Sequence, residues 1–195
     1  MDYFISNIGI KGEGTAWYLV HKIRMAMGIR DEKYQIEGEA EVDDAFVTVV
    51  KAIKGDTEKS KRGRGSIRKA PMLVLASCEH IPTAQQKRNR PTSYPLFFKM
   101  FQIEDLKKGL LNETVFRYVK LTSYLKSDAR NGSSDLNKLV EKHTSKITPA
   151  KEGHIELPWV HCAIGNLKRW INGIFHHVSE KYLQNYLDEF VLFRQ

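Results

Sequence analysis

The run Met72-Leu73-Val74-Leu75-Ala76 most constrains what this chain can fold into. It is short and apolar without interruption, the pattern of a strand buried at the centre of a sheet. Over residues 34–50 the pattern alternates: Ile36, Ala40 and Val42 face one way, and Glu37, Glu39, Glu41 and Asp43 the other. A phenylalanine-rich stretch, residues 96–103, predicts a third strand. Residues 104–119 have helical spacing through Leu106, Leu110, Leu111, Val115 and Phe116. Residues 121–126 read as a strand ending just before Asp128, residues 136–143 as a short helix, and the chain near Ile147 as a brief extended piece. Three strands followed by alternating helix and strand predict an α/β protein, with a mixed sheet covered by helices.

Three further segments read as helices. Residues 15–27 are opened by Thr15 and ended by Gly28, with Ala16, Leu19, Val20, Ile23 and Met27 on the apolar face and His21, Lys22 and Arg24 off it. Pro158 opens a second, because its missing N–H costs nothing at the first helical position. Val160, Ala163, Ile164, Leu167, Ile171 and Ile174 form its apolar stripe, and His161, Gly165, Lys168 and Asn172 a polar one. A histidine and a lysine two turns apart over a glycine notch can bind a metal and a phosphate; they can equally be a solvated helix face. The last helix follows Ser179, with Tyr182, Leu183, Tyr186, Leu187, Phe190 and Val191 apolar.

The chain has 195 residues, enough for one domain that buries most of its apolar surface. Its formal charge of +8 favours a polyanionic partner bound in a salt-sensitive way. Lys59, Lys61, Arg62, Arg64, Arg68 and Lys69 crowd one Gly/Ser-rich stretch, and Lys87, Arg88 and Arg90 a second that ends in prolines. Both read as loops, either contacting phosphates or serving as solvated linkers. No run approaches the ~20 apolar residues of a membrane span, and no secretory signal opens the chain. Cys78 and Cys162 are too isolated for a zinc ribbon or disulfide framework, so a reducing cytoplasm is the expected setting. The pairs Gly12/Gly14 and Gly63/Gly65 lack the flanking strand and helix of a nucleotide-binding loop.

Three segments carry a resemblance: Thr15-Ala16-Trp17-Tyr18-Leu19-Val20-His21-Lys22-Ile23-Arg24, Glu41-Val42-Asp43-Asp44, and residues 157–194 with Pro158-Trp159-Val160-His161 and Asn166-Leu167-Lys168-Arg169. Together they resemble bacterial insertion-sequence transposases, in particular the Merlin-related group of DDE type. The resemblance implies a ribonuclease-H-like catalytic domain over residues 29–195. It also implies that residues 1–28 are a loosely packed remnant of a helix-turn-helix segment, in a chain shortened at its N-terminus. The implied activity is metal-dependent cleavage at transposon ends and strand transfer into target DNA. A homo-oligomer on DNA, working at the bacterial nucleoid and away from membranes, goes with it; the alternative is an inactive remnant that only binds DNA.

Such chemistry needs carboxylates from separate elements to hold two Mg²⁺ or Mn²⁺ ions. The resemblance puts the first on Asp43, with Asp44 turned to the opposite face by the pleat. It puts the second on Asp128. Here Ala129-Arg130-Asn131-Gly132 departs from the family's glycine and aromatic, which leaves Asp135 as a rival. His161 occupies the third acidic position, with Lys168 as the accompanying lysine and Asn166 as the fallback. Imidazole is a better ligand for Mn²⁺ than for Mg²⁺. Lys22, Arg24, Arg62, Arg64, Lys168 and Arg169 are the expected DNA contacts.

Overall fold

The alternating segment becomes strand β1 (Glu39–Thr48) and the apolar run the middle of β2 (Lys69–His80). These elements belong to a computed structural model, which describes residues 7, 9–50, 68–86, 92–104, 108–128, 133–146 and 153–194. Strands β3 (Ser93–Gln102), β4 (Tyr124–Asp128) and β5 (Lys142–Lys146) complete a sheet of order β3-β2-β1-β4-β5. The first three strands run antiparallel to one another; β4 is parallel to β1, and β5 to β4. Parallel neighbours need crossovers, and these are where the helices enter.

Helix α2 (Lys108–Tyr118) covers one face of the sheet. Its Leu111 and Val115, with Leu136 from the β4–β5 connection, pack on Ala40, Val42, Leu73, Leu75 and Leu125. The other face, with Ala45, Val47, Met72 and Val74, packs on helices α3 (Pro158–Trp170) and α4 (Leu183–Leu192). β2 sends Leu73 and Leu75 to one layer and Met72, Val74 and Ala76 to the other, which is why its run has no polar interruption. Each fully buried side chain of this size is worth about 1.5–3 kcal/mol.

Some expectations are corrected. Residues 136–143 are not a helix: a 3-10 segment, Ser133–Lys138, precedes β5. Leu136 and Val140, which suggested helical spacing, are core anchors of the crossover. The extended piece expected near Ile147 is found just before it, as the edge strand β5, whose Lys142-His143-Thr144-Ser145-Lys146 has no apolar alternation to mark its bounds; Ile147 itself lies outside the described residues. Ile174 leaves the apolar stripe and is 61% exposed, because α3 continues into a π-helical turn, Ile171–Phe175, whose wider winding carries it past the core.

Helix α1 (Glu13–Asp31) departs furthest from its reading. Gly12, not Thr15, is its N-cap, and the helix runs past Gly28. Its buried residues are Ala16, His21 and Arg24, while Ile23 is exposed. The cause is its partner: α1 packs on the polar and aromatic flank of α4, not on an apolar core. The Arg24 Nε donates to Glu189 Oε2 at 2.7 Å, and its guanidinium carbon lies 4.2 Å from the Tyr186 ring centre. His21 Nδ1 is 2.9 Å from Asn185 Nδ2, and the Trp17 ring meets Tyr182 edge-on. At Gly28 an added Cβ would stand 2.4 Å from Asp188 Oδ2, so the glycine permits close approach of two helices. Asp31 then ties the helix to β3 by accepting from the buried Lys99 Nζ at 2.8 Å. From Ala16 onward this helix is therefore packed, not loose.

Candidate active site where β1, β4 and α3 meet

Strands β1 and β4 run side by side in the same direction, with Glu39, Ala40, Glu41 and Val42 opposite Tyr124, Leu125, Lys126 and Ser127. One step further along each strand come Asp43 and Asp128. Registered residues of parallel neighbours share a face, so the two aspartates project to the side occupied by α3. Asp44 turns to the opposite face, as the pleat requires, and is buried. Its backbone N–H donates to Asp43 Oδ1 at 2.9 Å. Asp135 lies on the backbone of the 3-10 segment, its side chain outside the described residues.

Helix α3 brings His161 to the same place. His161 Nε2 is 3.7 Å from Asp43 Oδ2, with the Asp43 side chain 12% exposed and that of His161 36%. Two turns on, Lys168 is exposed overall, yet desolvation of its ammonium pushes the pKa down. Lys69 adds to that shift and Asp43 opposes it, so the Asp43 carboxylate acts on both polar residues of the helix. Asn166 Oδ1 accepts from the Arg169 guanidinium at 2.7 Å, which holds Arg169 along its own helix. On the other flank Lys146 is registered with Asp128 and pairs with Glu156.

The sequence reading missed Glu41. The alternation sets it on the face of Asp43 and gives it no role, yet α3 covers that side of β1 and Glu41 is 5% exposed. Its Oε2 accepts the backbone N–H groups of Trp159 at 2.9 Å and Val160 at 3.0 Å. Its Oε1 is 3.9 Å from the Cys78 sulfur, and burial, then Glu41 itself, pushes that thiol up to about 12. Burial pushes the Glu41 carboxyl above its usual range, against the pull of these N–H donors. A pair of carboxylates two residues apart suggested one face; nothing in the local pattern signalled a partner more than a hundred residues away.

The expected DNA contacts divide. Lys22 is exposed on α1, and Lys168 and Arg169 are exposed on α3. Arg24 is a correction: it is buried in its pair with Glu189 and is not presented to a nucleic acid. Arg62 and Arg64 lie outside the described residues, as do Lys87, Arg88 and Arg90.

Among the described residues no three His, Cys, Asp or Glu side chains form a ready metal cage. The donor set is open, made of carboxylates and an imidazole on facing elements. That suits a hard divalent ion, which keeps waters and shares oxygens with a phosphate.

The sheet order, with three antiparallel strands and two parallel ones under helices on both faces, is a ribonuclease-H-like α/β fold. The model of the ISXO2-like transposase domain matches residues 35–195, and the chain belongs to this family of insertion-sequence transposases of DDE type. No curated protein matches the chain. Membership makes DNA the partner and transposition the role, and DDE transposases generally use divalent metal ions. Among the described residues no helix is long and apolar enough to cross a membrane.

Proposed function

We propose that this protein cuts DNA at the ends of a mobile element and joins the freed 3′-hydroxyl to target DNA, acting as a homo-oligomer. The observation that carries this reading is the approach of His161 on α3 to Asp43 on β1, beside the strand that ends in Asp128. Asp43, Asp128 and His161 are the residues that would hold the divalent ions. Bound there, such ions supply charge neutralisation at the phosphate and a more acidic water. Asp43 and Asp128 would hold them from neighbouring strand ends, and His161 would hold them or position water from the facing helix. Lys168 contacts a neighbouring phosphate oxygen as a donor without ligating metal, since a charged ammonium has no lone pair. Water is the nucleophile of the first step and the 3′-hydroxyl that of the second.

A nicking assay on DNA carrying the element's own ends, with Mg²⁺ or Mn²⁺, tests the proposal. The parent protein should nick and Asp43→Asn should not. DNA binding without nicking by the parent would replace this reading by that of a DNA-binding remnant, which the altered neighbourhood of Asp128, Ala129-Arg130-Asn131-Gly132, favours.

A further inference from the structure

We infer that Glu41 is the positioning residue of this site: by capping helix α3 from strand β1, it sets the distance between His161 and Asp43. The inference rests on the proposed cleavage site and adds a residue that does not itself touch the DNA.

The N-terminus of α3 has no cap of its own. Leu157 is its N-cap residue and makes no side-chain hydrogen bond, and Pro158 has no N–H to offer. The next two donors, Trp159 and Val160 N–H, would otherwise lack partners in a largely buried position. Both donate to one oxygen of Glu41, at 2.9 and 3.0 Å. Two bonds to a single atom tether the first turn of the helix to the strand. A carboxylate is also the group that a helix N-terminus attracts most strongly. The residue after Val160 is His161, and the residue two along from Glu41 on the same face is Asp43. The short circuit Asp43, Glu41, Val160, His161 therefore closes through backbone alone, apart from its two side-chain contacts.

Glu41 acts through the helix in this arrangement: it is buried, and its Oε2 is turned to the two backbone N–H groups of α3. Trp159 adds a second tether, its indole Nε1 donating to Ser93 Oγ at 2.9 Å on β3. That bond steadies the first turn from β3, whereas the Glu41 bonds tie the same turn directly to β1, the strand of Asp43.

Two substitutions separate shape from charge. Glu41→Gln keeps the length and an amide oxygen that accepts both N–H groups, and removes the charge. Glu41→Asp keeps the charge and shortens the reach by one methylene, so the helix must shift to stay capped. Partners that orient metal-site groups from outside typically change affinity or activity ~10–100-fold. The expected result is a kcat for nicking lowered ~10–100-fold in Glu41→Asp with KM for DNA unchanged, and most of kcat recovered in Glu41→Gln. Mn²⁺ affinity, titrated by water-proton relaxation without DNA, should follow the same order. Parental kcat and Mn²⁺ affinity in Glu41→Asp would overturn the inference, as would a Gln variant impaired as badly as the Asp variant. A parent that binds Mn²⁺ and never nicks sinks the cleavage reading instead, and the order of Mn²⁺ affinities still decides the role of Glu41. Absence of both binding and nicking in the parent overturns the two together.

Discussion

His161 and Lys168 share a helix face and a carboxylate neighbour but have different chemistry, so their substitutions should separate. His161→Ala should abolish nicking and leave DNA affinity nearly unchanged. Lys168→Ala should weaken DNA binding, measured by fluorescence anisotropy, because it removes a phosphate donor. Both side chains lie off the apolar stripe, so each variant should melt within ~0.5 kcal/mol of the parent; unfolding of His161→Ala would make it a structural residue. Asp188 gives a pH test. Burial, with Asp31 and Glu32 adding to it and Gln184 opposing, pushes its carboxyl up to about 6. The folded protein then holds this proton more tightly than the unfolded chain does, so its contribution to stability is present in acid and lost as pH rises through about 6. Relative to Asp188→Asn, the parent should lose melting temperature between pH ~4 and ~6 and stay below the variant at higher pH. Asp43, His161 and Lys168 were legible as candidates because a motif or a helix period marks them. Glu41 and Arg24 were not, since a charged residue reads as exposed until its partner, Trp159 or Glu189, is brought against it from far along the chain.

Among the elements, α3 was the most legible. Pro158 marks its start, and Val160, Ala163, Ile164, Leu167 and Ile171 are all buried as the period demands. The period fails at Ile174, where the winding changes to a π turn and no residue type announces it. α1 was legible as a helix but not in its orientation, because its buried face is built from His21 and Arg24. That face yields a prediction opposite to helix propensity. Glycine to alanine in a helix interior usually gains up to ~1 kcal/mol. At Gly28 the new methyl would meet the Asp188 carboxylate at 2.4 Å. Overpacking of this kind costs about 1–3 kcal/mol, so Gly28→Ala should lower the urea midpoint. A raised midpoint would mean that α1 and α4 separate without penalty.

Across the whole molecule, the charge of +8 sets how the protein meets DNA. Binding should be salt-sensitive and largely indifferent to sequence. For roughly six to ten phosphate contacts, affinity should fall ~10³–10⁵-fold between ~50 and ~200 mM salt. A flat salt response would leave the basic loops as linkers. The class of fold was legible at this scale from the order of strand-like and helix-like segments, because layered α/β packing follows from that order. That Asp43, Asp128 and His161 belong together was expected from the resemblance, but the register that sets β1 against β4 was not legible, since register is a property of pairs of strands. β1 lies in the middle of that order, braced by β2 on one side and β4 on the other, and it carries both the acid of the site and the anchor of the facing helix. Breathing of the sheet is therefore common-mode: it carries Asp43 and the first turn of α3 along together and cancels in their separation. The histidine, one residue past that anchored turn, is thereby gauged against the strand that carries its partner, whatever the rest of the molecule does.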